Sequence, residues 1–379
     1  MPIANDFVAA DRDRVLDEWG RIALLPAPLG GEERRAALIA DLARASGADH
    51  VEIDRVGNVV TWLDGTAADG PTLTFLATMD DLESVAAHRS RSDVLYHADG
   101  CMVGPCVETT SSDATALALI RFAAAGQRPW RRLLIVFVLG EETGLTGVRA
   151  LVDDFGADLG SVVDLMGGIG TVSWNALGFA GLEVSFTTSP RHTLYGGVSE
   201  VSDAIARFVR ALHDAVPSGD DDLIAVRRVN RIHAGSVFNH SPETGTVSID
   251  IRSVGPDTLD VLDADTRALA ADAAEQAAVR VSIADGERQP AITLPGGREH
   301  PMVRALATAI REQGREPVLR PWSSSNINVV YAAGLSGIVH DGTFRGGGRG
   351  TADEWADIAG VLDGLAADCR LLQLLTEQS

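Results

Sequence analysis

Residues 133–152 read LLIVFVLGEETGLTGVRALV: an apolar run that ends in a pair of glutamates and passes, through two glycines, into a helical pattern. An apolar stretch of this length, bounded by a turn signal and rich in β-branched residues, reads as a buried strand. It is far too short to cross a bilayer, which takes about 20 apolar residues. A buried strand followed by a turn and a helix is the unit of an open α/β sheet, and such sheets place their active sites beyond the carboxyl ends of their strands. Glu141 and Glu142 stand at that end.

The same arrangement recurs on either side. TLTFLATMDD (72–81) ends in Asp80 and Asp81, and SVVD (161–164) ends in Asp164. Asp113 opens a predicted helix in SSDATALALIRF (111–122), with Ser111 or Ser112 placed to cap it. Six carboxylates on one edge of a sheet are more than helix caps and solvated loops require. Two unit charges ~4 Å apart repel by about 4 kcal/mol at an effective dielectric near 20. Such a cluster therefore needs cations or strongly raised pKa values, and either outcome marks a functional site.

Further out, residues 8–46 show helical spacing, with Val15, Trp19 and Ile22, then Ala37, Leu38 and Leu42 after the break PAPLGG (26–31). Strand-like runs at 51–63, 72–81 and 133–140 alternate with helices, one of them over 114–124, which predicts a parallel or mixed sheet covered on both faces. After Asp164 the order changes to strand (181–189), helix (199–216), two strands (224–235, 246–254), helix (256–277) and strand (277–285). That is the split βαβ, ferredoxin-like arrangement. The chain then returns to helix (302–314), strand (335–341) and a final helix after Thr351. The expected organisation is a discontinuous α/β domain, 1–176 and 291–379, with an α+β domain inserted at 177–290.

Composition excludes several classes of function. The 379 residues carry a net charge of −21 and contain no lysine, all 32 basic residues being arginine. Schiff-base chemistry and a P-loop lysine are ruled out. Nucleic acid and anionic membranes are not expected as partners, because phosphate binding needs a basic face. Cys101, Cys106 and Cys369 match no disulfide framework or zinc-ribbon spacing. The first thirty residues lack a basic start followed by an apolar run, so a cytoplasmic protein is expected.

In chain order, RVGNVV (55–60), ATMDDLESV (77–85), SSDATALALIRF, FVLGEETGLTGVRALV, VVDLMGG (162–168), GFAGLEVSFTTSPRH (178–192), SIDIRSV (248–254) and GTADEW (350–355) resemble segments of the dizinc aminoacylase and carboxypeptidase metallopeptidase family. That family contains acetylornithine deacetylase, succinyl-diaminopimelate desuccinylase and peptidase T. The resemblance runs over nearly the whole chain. It implies a zinc-peptidase-like catalytic domain with a mixed sheet between helices, plus an inserted ferredoxin-like lid that also dimerises. It further implies a hydrolase acting on a peptide or N-acyl amide bond of a small amino-acid derivative. Position by position, Asp80 would orient a metal ligand and Asp113 would bridge two metals. Glu141 would be the general base, while Glu142 and Asp164 would each complete one metal's shell. His192, Asn239 and Arg252 would bind the substrate carboxylate or polarise the scissile carbonyl.

The sequence departs from the family at two histidines. Thr78 stands in the His-x-Asp segment and Gly350 in the last segment, so each metal would lose its only imidazole. The remaining ligands Asp113, Glu142 and Asp164 are all carboxylates. Zinc normally takes nitrogen or sulfur as well, whereas such a set suits a hard ion. Zinc, manganese, magnesium or no metal at all stay open on this reading. Three substitutes offer themselves: a hard ion, a displaced ligand such as His340 or Cys106, or the guanidinium of Arg345 or Arg349 in FRGGGRG (344–350). Two other readings compete, a metal-independent relative running different chemistry in the same pocket and a non-catalytic binding protein.

Overall fold

The computed structural model describes residues 2–81, 95–97, 99–141, 144–168, 170–215, 225–342 and 346–377. They form two compact units, Met1–Trp174 with Thr293–Ser379, and Asn175–Ile292.

The larger unit opens with α1 (Ala4–Ala23) and α2 (Glu33–Ala45), followed by β1 (His50–Ile53), β2 (Val59–Asp64) and β3 (Thr72–Thr78). Next come α3 (Val107–Ala124), β4 (Arg132–Val138), α4 (Thr146–Phe155), β5 (Ser161–Leu165) and β6 (Gly170–Ser173). The smaller unit contributes β7 (Gly178–Thr187), α5 (Glu200–Asp214), β8 (Ala225–Ala234), β9 (Thr244–Ser253), α6 (Pro256–Gln276) and β10 (Arg280–Gln289). The chain then returns with α7 (Pro301–Glu312), β11 (Val318–Arg320), α8 (Ile327–Ala332), β12 (Gly337–Gly342) and α9 (Ile358–Glu377).

The larger unit's main sheet has the order β1-β2-β4-β3-β5-β12-β6-β11. Its centre is parallel: β3 pairs in parallel with β4 and β5, and β5 with β12. The β2–β4 and β12–β6 pairs are antiparallel, which makes the sheet mixed, as expected. Every residue of β3 is buried, as is Leu133–Val138 of β4. A strand covered on both faces has no polar side to alternate with, which explains the uninterrupted run LLIVFV.

The smaller unit follows the predicted strand–helix–strand–strand–helix–strand order, and its antiparallel sheet runs β8-β9-β7-β10. Here burial alternates residue by residue along β7 and β9, leaving one face to pack on α5 and α6. Phe186 and Phe208 meet edge to face in that core, with ring centroids 5.8 Å apart.

Two expectations need correction. Helix α3 begins at Val107, so Ser111 and Ser112 are not caps but lie inside it. Their hydroxyls donate to the carbonyls of Glu108 and Thr109, which lets small hydroxyl residues continue a buried helix instead of starting one. The buried face of α2 is also rotated from the apolar reading. Arg35, Ala36, Ile39, Ala40 and Ala43 are buried, as is the expected Leu42, while Leu38 is half-buried and Ala37 exposed. The cause is Arg35, a charged residue that the fold places in the interior.

Among the described residues, no helix is long and apolar enough to cross a membrane.

Candidate functional site

The register of β3 against β4 pairs Thr78 with Val138, so Met79-Asp80-Asp81 and Leu139-Gly140-Glu141 leave the sheet side by side. Glu141 donates its backbone N–H to Asp80 Oδ1 at 3.2 Å, tying the two strand ends together. The turn into α4 is as tight as its glycines suggest. Gly140 has φ +68°, and a Cβ there would lie 2.1 Å from Thr146 Oγ1. A Cβ on Gly147 would lie 2.4 Å from both Asn58 Oδ1 and the Leu139 carbonyl. Asn58, from RVGNVV, clamps this turn by donating to the Gly147 carbonyl at 2.9 Å and accepting from the Leu139 N–H at 3.1 Å. Thr78, Asp80, Glu108, Ser112, Glu141 and Arg349 line a common cavity of about 20 Å³, room for a water or an ion. Arg349 pairs with Glu108 at 3.1 Å.

Asp113 sits in α3, fully buried, and neither of its carboxylate oxygens has a hydrogen-bond partner among the described residues. Burial pushes its carboxyl well above the usual range; the charge of Arg35 opposes this, and Asp81 and Asp80 reinforce it. Arg35 is itself wholly buried. Its guanidinium donates to Met79 O at 2.8 Å, to Leu25 O at 3.0 Å, and to both oxygens of Asp81, one of them at 3.0 Å. Asp81 also accepts the Ala27 N–H at 2.9 Å. Neither Arg35 nor the Asp81 pairing was visible in the apolar pattern of the sequence. A charged residue at a core position of an amphipathic helix was the signal available.

Asp164, on β5, is equally buried but fully engaged. Its Oδ2 accepts from Ser325 Oγ at 2.6 Å and its Oδ1 from Asn326 Nδ2 at 3.4 Å. Burial raises its pKa to about 6, against the lowering effect of those two bonds and of the Ile327 backbone N–H. Asn326 Nδ2 also donates to Thr78 Oγ1 at 3.1 Å. The segment Ser325-Asn326 was missed, because its polar run before α8 reads as an ordinary loop. At the last segment, Glu354 is 2% exposed and accepts the N–H groups of Glu108 and Gly350 at 2.7 and 3.0 Å. Burial raises its pKa, with those two bonds opposing.

A sequence model of peptidase family M20/M25/M40 matches residues 77–374. The chain belongs to this peptidase family. Solved structures agree on the fold. A tripeptidase from Staphylococcus aureus superposes with a TM-score of 0.79 at 16% identity, covering 97% of this chain and 99% of its own. The dipeptidase Dug1p from Saccharomyces cerevisiae gives 0.77 at 11% identity, with 99% and 98% covered. Aminopeptidase PepT from Bacillus cereus gives 0.74 at 17%, with 96% and 98% covered. No curated protein sequence matches the chain.

As an M20/M25/M40 peptidase relative, this chain can be tested for the two metals that the resemblance implies. Asp113, with two orphaned oxygens, has the lone pairs a cation would take. Asp164 is already engaged on both oxygens, by Ser325 and Asn326, and Asn326 Nδ2 fills the space between its Oδ1 and Thr78 Oγ1. Among the described residues, no three His, Cys, Asp or Glu side chains converge as a metal-binding group. The described donors do not fit a two-metal centre. Glu142 and Arg345 lie outside the described residues. His340 does not move in as a substitute: its register partner in β5 is Leu165, not Asp164, so it projects from the opposite sheet face, where its Nδ1 meets Asp368 in α9 at 2.6 Å. Cys106 is buried too, and burial foremost pushes its thiol far up.

In the smaller unit, His192 and Asn239 come together. The His192 Nδ1 accepts the Leu194 N–H at 3.1 Å, and its Nε2 lies 3.3 Å from the Asn239 amide. That amide also meets His240 Nδ1 at 3.0 Å, and His240 and Asn239 line a groove of about 600 Å³. Arg252 instead pairs with Asp250 at 3.0 Å and lies over the Phe179 ring, 5.2 Å from its centroid.

Proposed function

We propose that this protein is a hydrolase of peptide or N-acyl amide bonds in small amino-acid derivatives, with Glu141 as its general base. The observation that carries the reading is the position of Glu141. It stands at the carboxyl end of a central parallel strand in a peptidase-family chain, fixed through its backbone to Asp80 and facing a cavity it shares with Thr78 and Arg349. A carboxylate among other carboxylates is disposed to take a proton from an attacking water. The Arg349 guanidinium, lining the same cavity, supplies the positive charge that a developing oxyanion needs. His192, Asn239 and Arg252 serve as groups for the substrate's carboxylate or carbonyl. The inserted domain, 177–290, acts as lid and dimer interface of a cytoplasmic homodimer. The dipeptidase and tripeptidase activities of the structural neighbours support small peptides as the first substrates to try.

The test is a screen of di- and tripeptides and N-acyl amino acids against the purified protein, repeated with Glu141→Gln. General-base loss should lower kcat by about 10²–10⁴-fold with little change in fold. Activity that survives Glu141→Gln removes Glu141 from the role. A protein that hydrolyses none of these amides, whether or not metal is supplied, is not an amide hydrolase of this class.

A further inference from the structure

Thr78 and Asp164 lie on neighbouring strands, with Leu76 paired to Asp164, so residue 78 projects from the same sheet face two positions further on. Both are buried, and a single nitrogen stands between them: Asn326 Nδ2, 3.1 Å from Thr78 Oγ1 and 3.4 Å from Asp164 Oδ1. Asn326 is itself fully buried, and its Oδ1 has no partner among the described residues. The neighbouring Ser325 takes the second oxygen of Asp164 and is held in turn by the Ile327 N–H at 3.4 Å and, through its own N–H, by Asn328 Oδ1 at 3.3 Å.

We infer that the Asn326 carboxamide is a built-in replacement for a metal ion between residue 78 and Asp164. An ion bound there would need lone pairs of both side chains at about 2.0–2.2 Å. The amide nitrogen lies between the two oxygens and donates to both, in the space that such an ion would take. Amide and ion are mutually exclusive occupants, because the electropositive N–H₂ group cannot share the space with a cation. Asn326 keeps the polar cluster hydrogen-bonded where an ion would have neutralised it. This inference goes beyond the amide-hydrolase reading and stands or falls without it, because its readout is metal binding.

The experiment measures Zn²⁺ and Mn²⁺ bound by the chelator-treated full chain, by elemental analysis and by the shift in melting temperature with added metal. The wild type and Asp164→Asn should bind the same amount with the same affinity. Thr78→His/Asn326→Ala restores an imidazole and clears the nitrogen. It should bind Zn²⁺ at least about 10-fold more tightly than the wild type and melt higher when metal is added. Adding Asp164→Asn to that pair should abolish the gain. If Asp164→Asn weakens metal binding by the wild type 10-fold or more, the inference is overturned. It is likewise overturned if the double variant folds, judged by circular dichroism, and gains no binding. Should the double variant fail to fold, the comparison of wild type with Asp164→Asn decides alone.

Discussion

Replacing Asp81 with alanine would leave the Arg35 guanidinium charged, wholly buried and without its counter-ion. Arg35 and Asp81 side chains are both at 0% exposure, so no solvent can take the place of either partner. Breaking a buried pair from one side costs about 3–5 kcal/mol. Removal of the carboxylate also strands the Ala27 N–H, adding about 1 kcal/mol. Arg35→Met should cost a similar amount, since it takes the counter-ion from Asp81 and the donors from the carbonyls of Leu25 and Met79. The double variant Arg35→Met/Asp81→Ala removes both charges together. What remains is about three unsatisfied backbone groups at about 1 kcal/mol each, roughly 3 kcal/mol in all. The singles sum to about 10 kcal/mol, so the coupling energy should be near ~7 kcal/mol and at least about 5. Urea unfolding of the four proteins, followed by tryptophan fluorescence, gives this cycle. Trp19 and Trp130 are buried in the same unit and report on it. A coupling below about 1 kcal/mol would refute the claim that this pair is an internal charge balance for the carboxylate site.

Asp164 makes a prediction about pH. Its folded pKa of about 6 lies above the ordinary carboxylate value, because burial outweighs its hydrogen bonds from Ser325, Asn326 and the Ile327 backbone. Folded protein therefore holds this proton where unfolded chain has lost it, so its stabilising contribution is present below pH ~4 and is lost as pH rises through 6. About two pKa units amount to roughly 3 kcal/mol. The stability difference between wild type and Asp164→Asn should shift by that order against the wild type from pH 4 to 7; a flat difference in urea titrations would contradict it. Gly147→Ala puts a methyl 2.4 Å from the Leu139 carbonyl and Asn58. It should lower stability by about 1–3 kcal/mol in the same unfolding assay, and a neutral result would mean that the β4–α4 turn relaxes freely.

The family and the fold were legible in the sequence because their signals are local. LLIVFVLGEETGLTG carries a buried strand, its end and its glycine turn within one stretch. The ferredoxin-like order of the smaller unit follows from period-2 and period-3.6 patterns read one segment at a time. The internal ion pair was not legible. On α2, the apolar residues suggested a face through Ala37, Leu38 and Leu42; Leu42 is buried, but Arg35 also occupies the core, held by a partner 46 positions away. Ser111 and Ser112 read as caps because hydroxyls favour helix starts, and only burial of the whole helix shows them bonded backwards to their own carbonyls.

The sequence by itself determined the family of this protein, its α/β class, the carboxylates at its strand ends, and the absence of histidine at positions 78 and 350. The tertiary structure alone decided what stands beside those carboxylates. Asn326 reaches Thr78 across 248 positions and Asp164 across 162. No periodicity or motif spacing encodes such separations; they exist only once β3, β5 and the start of α8 are packed together. Among the described residues, Asp113 was left with unpartnered oxygens and Asp164 with none, although both read alike as acids near a sheet edge. Hydrogen bonding in a water-excluded interior is satisfied by whatever the fold brings within about 3 Å, and that is a property of packing.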